Sequence, residues 1–231
     1  MVDSEFDAFA DDYGALHAAN ISLSGEAPDY FHEYKISDAR TICSALKIEA
    51  NAVLDFGAGV GNSIPWFRKH FAESALTCAD VSARSVETAR RRFPGNERFA
   101  VIDGRSLPFN DAEFDLAFTA CVFHHIPHSE HVAWLAELRR VTRPGGALIV
   151  FEHNPWNPLT VHAVNTCPFD VDARLIAPPK LRTSVRLSGW RPRGVWHRIF
   201  FPHFLKALRP LERFLRAVPL GAQYCLIATR P

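Results

Sequence analysis

The sequence has 231 residues, 48% of them hydrophobic, and a formal net charge of +1 at pH 7. This length suits one domain, with or without an elaboration, and the near-neutral charge argues against a global attraction to nucleic acid or to acidic surfaces. The five cysteines are widely spaced and include no CxxC pair, so they indicate neither a disulfide framework nor a zinc knuckle.

The beginning of the chain predicts a cytoplasmic protein with a cap over its core. Residues 1–5 lack a hydrophobic signal core, and no apolar run approaches the ~20 residues that span a bilayer. Residues 1–35 predict a short helix, a loop and a second helix. The first helix is indicated by apolar residues at helical spacing: Phe6, Phe9, Tyr13 and Leu16. This segment either packs on the core as a simple cap or covers a ligand as a lid. A further helix is expected over 36–48.

A glycine-rich turn follows the first predicted strand. Asp55 lies near the end of that strand, and Gly57, Gly59 and Gly61 follow at every second position. Glycine lets a ligand approach the backbone closely, and the helix expected over 63–71 would present free N–H groups. The dinucleotide fingerprint G-x-G-x-x-G requires its third glycine one residue later, where this chain has Asn62. A turn without a ligand is the alternative.

Two further predicted strands end in acidic residues. The strand at 75–81 ends at Asp80, about 20 residues past the glycine turn, where an acid can bind ribose hydroxyls. Ser82 predicts the N-cap of a helix that runs to Arg92; Asp80 can also cap that helix, and its two roles are compatible. The strand at 98–103 ends in Asp103 and Gly104, a pair that also favours a turn.

The fourth predicted strand starts near Phe114 and ends in the stretch 119–126, which contains His124 and His125. Imidazole titrates near neutral pH, so either histidine is a candidate base, with a packed structural histidine as the alternative. We expect no metal here. Adjacent residues point apart on a strand, and no carboxylate has clear ligand spacing.

The alternation of strands and helices continues through a helix at 129–141, an Arg-Pro-Gly-Gly turn and a strand at 147–151. This order predicts a parallel sheet with helices on both faces, in which ligands bind outside the carboxyl ends of the strands. The three acids and the 119–125 stretch all fall at that edge.

These motifs resemble class I S-adenosylmethionine-dependent methyltransferases, of the small-molecule type similar to the ubiquinone/menaquinone C-methyltransferase group (methyltransferase type 11). The resemblance rests on D-x-G-x-G-x-G at 55–61, on the order acid, Leu-Pro-Phe, Phe-Asp at 103–115, and on the Arg-Pro-Gly-Gly turn. It covers roughly residues 50–152. It implies a Rossmann-like, seven-stranded, mostly parallel sheet with an antiparallel C-terminal edge hairpin, and S-adenosyl-L-methionine as the cofactor.

The resemblance also implies which residues bind the cofactor: Asp55, Gly57, Ala58, Gly59, Gly61, Asp80, Val81, Asp103, Gly104, Ala120 and Cys121. In the family, the acid after the third strand contacts the adenine amino group, and residues at the end of the fourth strand line the methionine part. An N-terminal segment covers the cofactor, which makes Tyr13, Tyr30 and Lys35 candidate contacts. Methyltransferases of adenine and cytosine-N4 carry an Asn/Asp-Pro-Pro-Tyr box that is missing here, so no nucleic-acid acceptor is expected.

The remainder of the chain is expected to select the acceptor. In the polar stretch 152–160, Glu152 and His153 are candidate acid/base residues and Asn154 and Trp156 candidate binders, with a proline-punctuated turn as the alternative. A helix broken by Pro178 and Pro179 is expected over 172–187, and strands over 193–201 and 222–229.

Residues 202–219 between those strands have an apolar face and a basic face. A segment of this kind has four possible roles. It can lie on a membrane surface, cover a hydrophobic or anionic substrate, form half of a dimer interface, or pack on its own domain. It points to a small-molecule, hydrophobic or lipid-linked acceptor.

The sequence therefore predicts a single methyltransferase domain over 1–231, with a cap at 1–35, a cofactor core at 36–152 and an acceptor-side elaboration at 153–231. The candidate catalytic residues are His124, His125 and His153. The alternatives are an NAD-dependent oxidoreductase and a non-catalytic scaffold of the same fold. The acceptor atom and the oligomeric state are left open.

Overall fold

A computed structural model describes residues 25–104, 106–167 and 170–231. The strands are β1 (Ala52–Phe56), β2 (Ala75–Asp80), β3 (Arg98–Val101), β4 (Phe114–Ala120), β5 (Thr142–His153), β6 (Arg191–Arg198) and β7 (Gln223–Thr229). They form a seven-stranded sheet of order β3-β2-β1-β4-β5-β7-β6. β1 to β5 are parallel, and β7 runs antiparallel between β5 and β6. This confirms the predicted mostly parallel sheet with an antiparallel edge hairpin.

Helices cover both faces of this sheet. They are α1 (Pro28–Leu46), α2 (Ile64–His70), α3 (Ala83–Arg92), α4 (His131–Val141), α5 (Pro158–Thr166), α6 (Pro178–Leu187) and α7 (Glu212–Leu215), with 3₁₀ turns at Phe123–His125 and His203–Leu211. Successive strand residues point to opposite faces. Val53 of β1 therefore belongs to the core formed with Ile36 of α1 and Phe67 of α2. Leu54 belongs to the opposite core, with Leu135 of α4 and Leu181 of α6.

The cap helix differs from the prediction. Residues 28–46 form one continuous α1, where two shorter helices were expected on either side of residue 35. Pro28 occupies the first turn, where its missing N–H costs nothing, and neither glycine nor proline interrupts the rest. The helix ends at Lys47, whose φ of 57° is left-handed. The predicted helix at residues 6–16, including Tyr13, lies outside the described residues.

Prolines begin two helices of the acceptor side. The stretch expected as a proline-punctuated turn continues into α5, which starts at Pro158 after Asn157, whose side chain accepts the N–H of Thr160 at 3.0 Å. The helix expected from residue 172 is wrong in its first part, because α6 begins at Pro178, directly after the extended Ala177. Proline suits the first turn of a helix, so it starts these elements.

Residues 202–219 do not form one amphipathic α-helix. A 3₁₀ stretch, His203–Leu211, contains Pro210 and is followed by the short α7. No residue of that 3₁₀ stretch is buried, and Phe204 is 82% exposed. The 3₁₀ part of the segment therefore does not bury its apolar face on its own domain.

The segment is nevertheless anchored. The buried carboxylate of Glu212 accepts the N–H groups of Phe200 and Phe201 at 3.0 and 3.1 Å.

Among the residues that the structure describes, no helix combines the length and the apolar character needed to cross a bilayer.

Candidate active site

A cavity of about 700 Å³ lies at the carboxyl edge of the sheet. Most of the predicted site residues line it: Asp55, Gly57, Ala58, Gly59, Asp80, Val81, Gly104, Ala120, Cys121, His124, His125 and His153. The cavity continues to Leu159 of α5 and to Phe200 and Phe204 beyond β6. One continuous cavity thus joins the glycine turn to the acceptor side.

The glycine turn is fixed by backbone bonds to β2. The N–H groups of Gly57 and Ala58 both donate to the carbonyl of Ala79, at 2.8 and 3.1 Å. Gly59 has a φ of +52°, and a Cβ built on it meets no atom within 4 Å, because its α-carbon faces the open cavity. The turn therefore offers bare backbone to a ligand.

Gly61, by contrast, serves packing. It has a φ of +81°, and a Cβ there would lie 2.9 Å from the Cβ of Ala89 on α3. Gly61 is not among the residues that line the cavity. Asp103 is also outside the lining, and its Oδ1 accepts the N–H of Ser106 at 3.2 Å. Their predicted cofactor contacts stay predictions.

Asp80 ties the glycine turn to the start of α3. Its Oδ2 accepts the N–H of Gly59 at 2.8 Å, and its Oδ1 accepts the N–H of Ser82 at 2.9 Å. Ser82 is the N-cap of α3, as predicted, because its hydroxyl accepts the N–H of Ser85. Asp80 thus fixes the position of the turn relative to the N-terminus of α3.

Asp55 is buried with an unsatisfied acceptor. Its Oδ2 has no hydrogen-bond partner among the described residues. Burial, and then the charge of Asp80, raise the pKa of Asp55 to about 7. Lys35 of α1 lines the same end of the cavity. A cationic group in the cavity would satisfy this orphaned oxygen and favour its ionised form.

The raised pKa of Asp55 predicts a pH-dependent stability. Between about pH 4 and about pH 7 the folded chain holds a proton that the unfolded chain releases, so ionisation of Asp55 lowers stability as pH rises. Asp55→Asn cannot ionise. Relative to the parent, its free energy of unfolding should rise by on the order of 2–3 kcal/mol from about pH 5 to about pH 8. Urea unfolding at the two pH values measures this, with the exposed Asp111→Asn as the control that shows no such trend.

Cys121 directly follows β4 and has a left-handed backbone conformation. Its φ is +60°, and its N–H donates to the carbonyl of Phe151 at 2.8 Å. Its Sγ lies 3.6 Å from the Nζ of Lys35. Burial raises the pKa of the thiol, but His153 and Lys35 outweigh burial and lower it to about 7.

Glu152 positions the loop after β4. Its Oε1 accepts the N–H groups of Val122 and Phe123 at 3.1 and 2.8 Å, and its Oε2 lies 2.6 Å from His124 Nδ1. Burial opposes a charged imidazole, but Glu152 and Asp170 raise the pKa of His124 to about 10. Glu152 is fully buried and does not line the cavity, so it positions His124 and is not the acid/base residue that we expected.

The expectation that His124 and His125 point apart is wrong. Both lie in the 3₁₀ turn after β4, where neighbouring side chains can converge, and their ring centroids are 4.2 Å apart. Asp170 approaches both. Its Oδ1 is 3.6 Å from His124 Nε2 and 3.4 Å from His125 Nε2. Sequence reasoning missed Asp170, because no motif connects it to the histidine pair.

The other candidates divide between the cavity and the scaffold. His153 lines the cavity, with its ring 5.2 Å from that of His124. Asn154 is buried and donates to the carbonyls of Pro219 and Gly221, so it holds a loop. Two more candidates point elsewhere: Trp156 stacks towards His197, and Tyr30 lies under Arg209. Tyr13 is outside the described residues.

The donor set of the cavity fits S-adenosylmethionine. Gly57 and Gly59 expose backbone to the cavity, and the carboxylate of Asp80 lines it where it would accept the hydroxyls of a bound ribose. The unpartnered oxygen of Asp55 and the amino group of Lys35 match the ammonium and the carboxylate of an amino acid. The ammonium and the carboxylate of the cofactor therefore each have a partner of opposite charge.

Comparison with known proteins finds similarity to methyltransferases. Residues 53–146 match the family described as "Methyltransferase domain". The ubiquinone/menaquinone biosynthesis C-methyltransferase UbiE of Ectopseudomonas mendocina is 31% identical over 126 residues, which is 52% of this chain and 48% of that protein. The fatty-acid O-methyltransferase of Mycolicibacterium smegmatis is 28% identical over 145 residues, or 62% of this chain and 52% of that protein. The chain thus spans about half the length of these curated relatives.

Solved structures share the fold of the described residues. A SAM-dependent methyltransferase from Thermotoga maritima superposes with a TM-score of 0.68 at 19% sequence identity, covering 98% of both chains. Its sequence is too distant to carry more than the fold. Residues 53–146 thus match a methyltransferase domain, and the glycine turn and its acids lie within that stretch.

Proposed function

We propose that this chain is a single-domain, cytoplasmic enzyme that transfers the methyl group of S-adenosylmethionine to a hydrophobic, lipid-like small molecule. The observation that carries the proposal is the cavity that runs from the polar glycine turn to an apolar, solvent-exposed mouth. In this division residues 1–35 cap the site, 36–152 hold the cofactor and 153–231 receive the acceptor. The five cysteines are free thiols, which suits a reducing compartment.

The cofactor end needs little chemistry from the protein. S-adenosylmethionine supplies an activated methyl group on a positively charged sulfur. The residues of the chain then bind and orient the cofactor. Asp80 would accept hydrogen bonds from the ribose hydroxyls, Asp55 from the ammonium group, and Asp103 from the adenine amino group. Holding two reactants in line can itself supply most of a rate enhancement.

The acceptor end is apolar. Leu159 of α5 and Phe200 and Phe204 line the cavity there, and Phe204 remains 82% exposed. In the same segment Leu208, Leu211 and Phe214 are also exposed. An acyl or prenyl chain would bury these side chains, at about 25 cal/mol per Å² of apolar area.

The mouth also suits an anionic membrane surface. The exposed apolar side chains of 202–219 lie beside Lys206 and Arg213, on a segment with no acidic residue other than the buried Glu212. Apolar insertion combined with basic residues is the pattern of peripheral membrane contact. A peripheral contact there would deliver a lipid directly to the cavity.

A base is required only when the acceptor must lose a proton. His124 is held between two carboxylates that favour its protonated form, so it is the weakest candidate. His125 and His153 line the cavity and stay our candidates for proton transfer.

The sequence also argues against the two alternative functions. Asn62 stands where a dinucleotide-binding turn has its third glycine, which argues against an NAD-dependent oxidoreductase. The presence of Asp55, Asp80 and Asp103 argues against an inactive scaffold.

The test combines transfer and membrane binding. With methyl-labelled S-adenosylmethionine, the label should enter acyl-bearing acceptors in anionic vesicles, and the protein should sediment with these vesicles. Phe204→Ser/Phe214→Ser should lower vesicle binding roughly 10- to 100-fold, because burial of each phenyl ring contributes about 1.5–3 kcal/mol when complete. Its affinity for S-adenosylmethionine should not change.

Leu187→Ser is the matched control, because Leu187 is 69% exposed on α6 and outside the cavity lining. If the parent protein does not bind anionic vesicles, the proposed membrane contact is refuted. Label that enters only water-soluble acceptors would remove the lipid class.

A further inference from the structure

We propose that His124, His125 and Asp170 bind a divalent transition-metal ion at the acceptor side of the cavity. The three side chains come from a 3₁₀ turn after β4 and from the segment after α5, and all three line the cavity. Two imidazoles and one carboxylate are a ligand set that suits Zn²⁺ and its neighbours.

The distances suit a shared ion. Asp170 Oδ1 lies 3.6 Å from His124 Nε2 and 3.4 Å from His125 Nε2, and the ligand atoms of the three residues all lie within 4.8 Å of one another. These separations exceed the roughly 2.7–3.2 Å of ordinary N–H···O bonds. Two ligands at about 2.0–2.1 Å from a tetrahedral metal are themselves about 3.3–3.5 Å apart.

Glu152 prepares His124 for this role. The bond of 2.6 Å between its Oε2 and His124 Nδ1 directs the other ring nitrogen, Nε2, towards Asp170. Glu152 is itself held by the N–H groups of Val122 and Phe123. A carboxylate that bonds the outer nitrogen of a liganding histidine fixes its tautomer and increases its basicity.

Charge supports the same inference. Glu152 and Asp170 are two buried carboxylates in one cluster, and buried charges require compensation. A divalent ion on neutral imidazoles balances both. In the alternative arrangement, protons on the two histidines balance the carboxylate charges. The two arrangements are distinguished by whether the protein binds metal.

An ion at this point would keep an open position towards the cavity, because its three ligands lie on the cavity wall. If the proposed methyl transfer holds, that position would receive a polar oxygen of the acceptor and orient it. The metal site itself does not depend on that function.

The experiment titrates the full chain, freed of metal by a chelator, with Co²⁺ and with Zn²⁺. We expect one ion per chain, seen as Co²⁺ visible absorption bands that Zn²⁺ displaces. Asp170→Asn and His125→Gln should each weaken binding at least about 100-fold, and Glu152→Gln about 10- to 100-fold. His162→Gln, at an exposed position on α5, is the control that leaves binding unchanged.

A cooperative urea-unfolding transition shows that each metal-free variant is folded, and S-adenosylmethionine is titrated separately into the parent protein. Equal Co²⁺ uptake by the parent and by His125→Gln would overturn the site, as would no uptake at all, which would leave protonated histidines between two carboxylates. Metal uptake without any binding of S-adenosylmethionine would refute the proposed function and leave the metal site standing.

Discussion

Asp80→Ala should lower the affinity for S-adenosylmethionine by about 100-fold or more. The carboxylate accepts the N–H groups of Gly59 and Ser82, so it shapes the cradle, and it is our acceptor for the ribose hydroxyls. Hydrogen bonds to a charged group contribute about 1.5–3 kcal/mol each, and two of them amount to roughly 100-fold in affinity.

Calorimetric titration with S-adenosylmethionine and S-adenosylhomocysteine measures this loss. Asp80→Asn keeps one acceptor oxygen, so it should fall between the parent and the alanine variant. Asp111→Ala removes an exposed acid that pairs only at the surface with Arg140, and it is the matched control. A folded Asp80→Ala protein that binds the cofactor as well as the parent does would overturn the role of Asp80.

Gly57→Ala and Gly59→Ala should fail in different ways. At Gly57 a Cβ would lie 2.2 Å from Val122 Cγ2, and the φ of +79° adds left-handed strain. Overpacking costs about 1–3 kcal/mol and the strain about 1–2 kcal/mol, so the variant should lose roughly 2–5 kcal/mol of stability. At Gly59 a Cβ meets nothing within 4 Å, so only the strain remains.

The Gly59→Ala methyl group instead projects into the space where the cofactor would lie, so this variant should stay folded and lose affinity. Urea unfolding and cofactor titration on both variants separate the two effects. Adding Val122→Ala to Gly57→Ala removes the clash and should restore part of the lost stability. Equal stability losses at the two glycines would contradict this division.

The sequence predicted the cofactor end of the fold well because its signals are local. Asp55 and the glycines up to Gly61 set the turn within a few residues. β1 and β4 are short, mostly apolar runs that are buried along their length, as central parallel strands are. Parallel strands bring their carboxyl ends to one edge, so Asp55, Asp80 and Cys121 meet there by topology alone.

The acceptor side was less predictable because its contacts are remote in sequence. Asp170 reaches His124 only after the chain has left β5 and passed through α5. The histidine pair converges because β4 ends at Ala120 and a 3₁₀ turn follows, a boundary that apolar periodicity does not mark. Asn157 and Pro158 fit a turn as well as a helix start.

The edge hairpin also makes the acceptor side exchangeable. Arg198 and Gln223 face each other in the β6–β7 ladder, and the N–H of Ala222 donates to the carbonyl of Ile199, so the connection leaves and re-enters the sheet at one point. Closing a loop of different length at such a point changes the free energy by only about 0.6 kcal/mol per doubling. Evolution can therefore replace residues 200–221 as a cassette, giving one cofactor core a succession of acceptors.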